Sequence, residues 1–138
     1  MYLLDTNVIS ELRKVRSGRA EPRVEQWADS VQAIELFLSV ITVHELELGV
    51  LQIQRRDEKQ GALLRIWLDK HVLPAFAGRI LDITTPVALC SASLHVPDPK
   101  PVRDAFIAAT ALVHGMKVVT RNTADFELMG ADLFNPWA

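Results

Sequence analysis

Hydrophobic positions along this chain follow two rhythms. Short runs of consecutive apolar residues alternate with longer stretches in which apolar residues recur every three or four positions. The first rhythm marks buried strands and the second marks amphipathic helices. Residues 1–4, MYLL, predict a strand, and Val8, Ile9 and Leu12 start a helix immediately after it. Residues 13–23, RKVRSGRAEPR, break the pattern with Gly18 and Pro22 and predict a loop, followed by a short helix over 24–29. IELFLSVIT (34–42) predicts a second buried strand that ends at Thr42. Thr42 and Glu45 have the spacing of a capping box opening a helix through Leu48. Over 58–73, Leu63, Leu64, Trp67, Leu68 and Val72 share one helical face. RILDIT (79–84) predicts a third strand. Thr85-Pro86 reads as an N-cap followed by proline at the first position of a helix reaching Leu94. The proline-rich turn VPDPKP (96–101) leads into VRDAFIAATALVHG, an apolar helix stopped by Gly115. KVVT (117–120) predicts a fourth strand, RNTADFELMG a loop with a short helix, and ADLFNPWA a small edge strand.

This alternation predicts parallel β-α units, hence an α/β fold with a central sheet covered by helices on both faces. No repeat, low-complexity tract or linker interrupts residues 1–138, so one domain is expected. With 138 residues and 49% hydrophobic content the chain can build a core, which excludes a disordered class. A net charge of -2 gives no molecule-wide attraction for a polyanion, so nucleic acid would have to meet a local patch. The loop 13–23 offers one, with Arg13, Lys14, Arg16, Arg19 and Arg23 against the single acid Glu21; a merely solvated loop fits the same residues. The single cysteine, Cys90, rules out an internal disulfide and fits a reducing compartment. The first residues lack the basic and long apolar regions of a signal peptide, and no apolar run reaches membrane-spanning length. A soluble, cytoplasmic protein without membrane association is expected.

Open parallel sheets bind ligands beyond the carboxyl ends of their strands, where the strand order reverses. Asp5 follows the first strand, Glu45 the second, and Thr120, Arg121, Asn122 and Asp125 the fourth. Asp104, early in the helix after VPDPKP, can reach the same end. Each acid alone has a plain structural reading. Asp5 and Asp125 suit helix caps, Glu45 a capping box, and Asp104 the first turn of a helix. Together they would repel one another unless a cation lay between them. Oxygen ligands without a His or Cys cluster suit a hard ion such as Mg²⁺ or Mn²⁺, and such ions activate water against phosphodiesters.

The stretches LLDTNVISEL, TVHELELGV, RDAFIAATAL and VVTRNTADF, in this order, resemble the four acidic motifs of PIN-domain ribonucleases. The likeness is greatest to the VapC toxins of type II toxin–antitoxin systems, in particular the FitB-like branch, and the terminal LFNPW is similar to that branch as well. The resemblance implies a Rossmann-like three-layer α/β/α sandwich and an endoribonuclease dependent on Mg²⁺ or Mn²⁺. It also implies a homodimer and a hetero-oligomer with a cognate antitoxin, whose segment would enter the active-site groove, with capture near the helices of residues 42–73. Carried over by motif, Asp5, Asp104 and Glu45 are the metal ligands and, with Asp125, the catalytic acids. Thr6, Asn7, Thr120 and Asn122 support them, and Arg13, Lys14, Arg16 and Arg121 are candidates for binding RNA. The fourth motif departs from the pattern: Asn122 stands where many members carry Asp, and Asp125 is the nearest acid.

Other polar residues carry less. His44, His71, His95 and His114 are scattered without zinc-ligand spacing, although His44 adjoins Glu45. Trp27, Trp67 and Trp137 suit core or interface positions. A rival reading is a PIN-like module that binds RNA or protein without cutting, which the residue at 122 keeps open. Phosphatase chemistry of the haloacid dehalogenase type expects D-x-D after the first strand, and Asn7 stands in the third position. Dinucleotide and P-loop sites are disfavoured, since neither G-x-G-x-x-G nor G-x-x-x-x-G-K-[ST] occurs.

Overall fold

A computed structural model describes residues 1–138. Five strands, β1 (Tyr2–Leu4), β2 (Leu36–Ser39), β3 (Ile80–Leu81), β4 (Lys117–Val119) and β5 (Leu133–Phe134), form one sheet in the order β3-β2-β1-β4-β5. Every pairing is parallel, with Leu3 opposite both Phe37 of β2 and Val118 of β4. The first strand is therefore central, and the chain order reverses beside it. The expected terminal edge strand is β5.

Alternation along the strands builds two cores. Leu4, Leu38 and Val119 point to one face. There they meet Val8 and Ile9 of α1 (Thr6–Leu12), Leu46 and Val50 of α3 (Val40–Arg56), and Leu68 and Val72 beyond α4 (Glu58–Ile66). Trp27 of α2 (Pro22–Ser30) joins this face edge-on to Tyr2 and beside Phe134. Leu3 and Val118 point to the other face, against α7 (Val102–His114) with Phe126 and Met129. Small residues at 105, 108, 109 and 111 let α7 lie close on the sheet. Leu3 and Leu4 are both fully buried, and each stabilises the fold by roughly 1.5–3 kcal/mol. Helices α5 (Leu73–Ala75), α6 (Thr85–Leu94) and α8 (Thr123–Phe126) complete the layers. No helix is long and apolar enough to cross a membrane.

Several expected boundaries move. The run SVIT is rich in β-branched residues and predicts strand, yet β2 stops at Ser39 and α3 starts at Val40. The Ser39 side chain accepts the Ile41 N–H at 3.0 Å and so provides the cap. Thr42 is thus not a cap but a fully buried residue inside the helix, and no capping box joins it to Glu45. Tertiary packing outweighs local propensity here. The helix continues to Arg56, well past Leu48, because Leu46 and Val50 extend its buried stripe. The third strand shrinks to Ile80–Leu81, the only residues of that run laddered to β2. Thr84, not Thr85, caps α6, accepting from the Val87 N–H, so Pro86 falls at the second helical position. After α4 the helix widens to a π-helical stretch, Trp67–Val72, and Leu63 faces solvent rather than the expected apolar face. Gly61 is required where α4 crosses α3, since a Cβ there would overlap the Gln54 backbone. Gly115 closes α7 at φ 67°, as the sequence predicts.

Candidate active site

The carboxyl ends of β1 and β4 lie side by side at the reversal point, and Asp5 and Thr120 are the residues that leave them. The Asp5 backbone N–H still bonds the Val119 carbonyl at 2.9 Å, so the sheet holds the residue that bears the carboxylate. Its two oxygens have separate roles. Oδ1 accepts the Thr6 N–H at 2.8 Å and caps α1. Oδ2 accepts the Thr120 hydroxyl at 2.8 Å and the Asn7 amide at 3.4 Å. The cap and the site are therefore two halves of one side chain.

Thr120 joins the two strands. Its fully buried hydroxyl donates to Asp5 and accepts both Asn7 Nδ2, at 3.4 Å, and the Asn122 N–H, at 3.0 Å. Asn7 bridges the same gap, because its Oδ1 accepts the Arg121 N–H at 3.3 Å. Thr6 Oγ1 donates to Glu45 Oε1 at 3.2 Å, which ties the first turn of α1 to α3. The expected supporting residues thus form one network, whose Asp5–Thr120 bond spans 115 positions of sequence.

The acids come within electrostatic range of one another. Burial pushes the Asp5 carboxyl above its ordinary value; the hydrogen bonds from Thr120 and Thr6 oppose the shift, and the Asp125 charge adds to it. Glu45 is raised by burial and then by Asp5, against the Thr6 hydrogen bond and the positive charges of Arg103 and His44. Asp104 is pushed up to about 6 by burial and then by Asp5, Asp125 and Glu45. At the fourth motif, Asp125 is the acid whose charge reaches Asp5 and Asp104. Asn122 contributes a backbone N–H to Thr120, and its side chain makes no capping bond.

All the donors assembled here are oxygen atoms of carboxylates, hydroxyls and amides, a set that fits a hard divalent cation. As they stand, no three acidic, His or Cys side chains close around a single point.

The expected cationic residues are arranged differently from the acids. Arg13 lies over the Trp67 ring at 5.8 Å, Arg121 over Trp137 at 5.5 Å, and Lys14 pairs with Glu11 at 3.3 Å, while Arg16 is exposed. The arginine that reaches the acids is Arg103, which the motif reading passed over; its Nη1 lies 3.9 Å from Glu45 Oε2. Its place directly before Asp104 was the only hint in the sequence. His44, His71 and His114 are exposed, and His95 accepts the Lys100 N–H through Nδ1, so none forms a metal cluster.

The fold and this acidic reversal point define the class: the family model described as PIN domain matches residues 2–131, and the chain belongs to that family. Within it, the chain is 39% identical over 142 residues to the VapC ribonuclease Y4jK of Sinorhizobium fredii, covering 99% of this chain and 98% of that protein. It is 40% identical over 142 residues to the toxin FitB of Neisseria gonorrhoeae, covering 99% of each. The crystal structure of FitAcB from Neisseria gonorrhoeae matches with a TM-score of 0.89 at 39% identity, over 99% of both chains.

Proposed function

We propose that the acidic face around Asp5 is the reaction centre of a toxin endoribonuclease that hydrolyses RNA phosphodiester bonds. The chain is a ribonuclease of the VapC and FitB kind, and residues 1–138 act as one PIN domain. The observation that carries the site assignment is the grouping of Asp5, Glu45, Asp104 and Asp125 at the reversal point, where burial and neighbouring charge hold the first three above the ordinary carboxylate range although only Asp5 has both oxygens engaged by neutral donors. Asp5, Glu45 and Asp104 would hold Mg²⁺ or Mn²⁺, with Asp125 as the fourth acid. When bound, such an ion supplies charge neutralisation and Lewis acidity toward a phosphodiester. The chain's own part is orientation. Thr120 and Asn7 hold the Oδ2 edge of Asp5, Thr6 aims Glu45, and the β1–β4 pairing prevents the pair of strand ends from separating.

An antitoxin protein is the partner in this reading, with a homodimer of the chain inside a larger hetero-oligomer. Leu51, Leu63 and Ile66, exposed on α3 and α4, supply apolar surface for its capture. An RNA substrate assigns the protein to the cytoplasm. The rival reading, a module that holds RNA or protein without cutting, draws on Asn122, which stands where an acid would be expected. Purified protein incubated with total RNA in Mg²⁺ or Mn²⁺ separates the two. Cleavage that EDTA abolishes and Asp5→Asn removes supports the nuclease; binding without any metal-dependent product supports the module.

A further inference from the structure

An enzyme that gathers four acids at one face has an electrostatic difficulty with a polyanionic substrate. Divalent ions offset part of the repulsion, but a cation that the chain itself supplies would have to be near the acids and free to turn toward a phosphate. The arginines and lysines nearest the motifs are mostly engaged. Arg13 and Arg121 sit over tryptophan rings, Lys14 is tied to Glu11, and Arg23 donates to Glu21 at 2.9 Å.

Arg103 differs on each count. It sits in the first turn of α7, directly before Asp104, so the backbone that places a candidate metal ligand also places the guanidinium. Its side chain is 50% exposed, and its sole ionic partner is Glu45 at 3.9 Å. That separation is a Coulomb contact and too long for a hydrogen bond. All five N–H donors are therefore available, in the planar fork that suits two phosphate oxygens. Turning away from Glu45 breaks no hydrogen bond.

We infer that Arg103 contacts a backbone phosphate of the RNA at the edge of the acidic face. The inference rests on the ribonuclease reading above and names a substrate contact within it. Glu45 then serves as a resting partner that keeps the guanidinium over the site until substrate arrives.

The test uses the full chain and a short, labelled, mixed-sequence single-stranded RNA. Binding is measured across a salt series in an Asp5→Asn background, so that the probe stays intact, with and without Arg103→Ala. Loss of one phosphate contact is expected to make the slope of log K against log salt shallower by about 0.7. Affinity should fall by about tenfold, as for the loss of a charged hydrogen bond. Arg103→Lys should keep the slope, because it keeps the point charge, and lose part of the affinity. In the otherwise unaltered protein, Arg103→Ala should raise KM for the same RNA more than it lowers kcat. An unchanged salt slope overturns the inference even if cleavage falls, since a residue that only positions Glu45 would release no counterions. If the parent chain neither binds nor cuts RNA, the ribonuclease reading fails and the inference with it, a result distinct from the first.

Discussion

Glu45 and Glu47 stand two residues apart on α3, and the fold treats them in opposite ways. Residues at that spacing point to different sides of a helix. Glu47 meets Arg65 of α4 in a two-armed pair, each oxygen accepting a guanidinium N–H at 2.7 Å, and this holds its carboxyl below the ordinary range. Glu45 turns inward to a neutral hydroxyl and a distant arginine, and burial together with Asp5 holds it above that range. One glutamate is spent on joining two helices. The other is kept partly unsatisfied among like charges, an arrangement that costs stability and is common at functional sites.

The sharpest way to break that contrast is at its centre. Asp5→Asn should lower kcat for RNA cleavage by at least about a hundredfold while circular dichroism stays native, a loss typical of removing one electrostatic stabiliser. Retained cleavage would show that the inward-facing acids are structural after all. Thr120→Val should come next. It removes one donor to Asp5 and one acceptor for Asn7 and Asn122, so activity should fall about 10–100-fold. Unlike Asp5→Asn, it should also destabilise the fold by about 1–3 kcal/mol, because the buried groups around it lose partners; urea melts read this directly. A paired comparison is smaller but more specific: Glu45→Gln should cut activity about tenfold, and Glu47→Gln should leave cleavage intact and lower only the melting temperature.

The smallest expected effect concerns pH. Asp104 sits at about 6 in the folded protein, above the 3.8 of an unperturbed aspartate, so the folded state binds its proton more tightly than the unfolded chain does. Its contribution to stability is whole below about pH 3.8 and is lost as pH rises through about 6. Asp104→Asn, which cannot ionise, should therefore melt higher than the parent at pH 7 and no higher near pH 4. A melting difference independent of pH would place the effect in packing rather than in charge.

Much of this protein was legible along the chain. Consecutive apolar runs marked β1 and β4, helical spacing marked α7, and Gly115 marked its end, because each is a property of neighbouring residues. The acids after the strands could be named for the same reason: a parallel sheet delivers the residue after each strand to one end. Where nearby signals competed, local reading failed. SVIT reads as strand until the buried stripe through Leu46 and Val50 pulls it into α3, and the capping pattern of Thr42 and Glu45 dissolves once Ser39 takes the cap.

The sequence by itself thus determined the element order, the two-faced sheet and the identity of Asp5, Glu45 and Asp104 as candidates. Only the tertiary structure decided what surrounds them. It set Thr120 against Asp5, made Asn7 a bridge to the Arg121 backbone, brought the Asp125 charge within reach of Asp5 and Asp104, turned Arg13 and Arg121 onto tryptophans, and brought Arg103 to Glu45. The reason is range. Hydrophobic periodicity and capping act over a few residues and are written in the local pattern, whereas these contacts join groups many helical turns apart along the chain, and their partners are chosen only when the fold closes the distance.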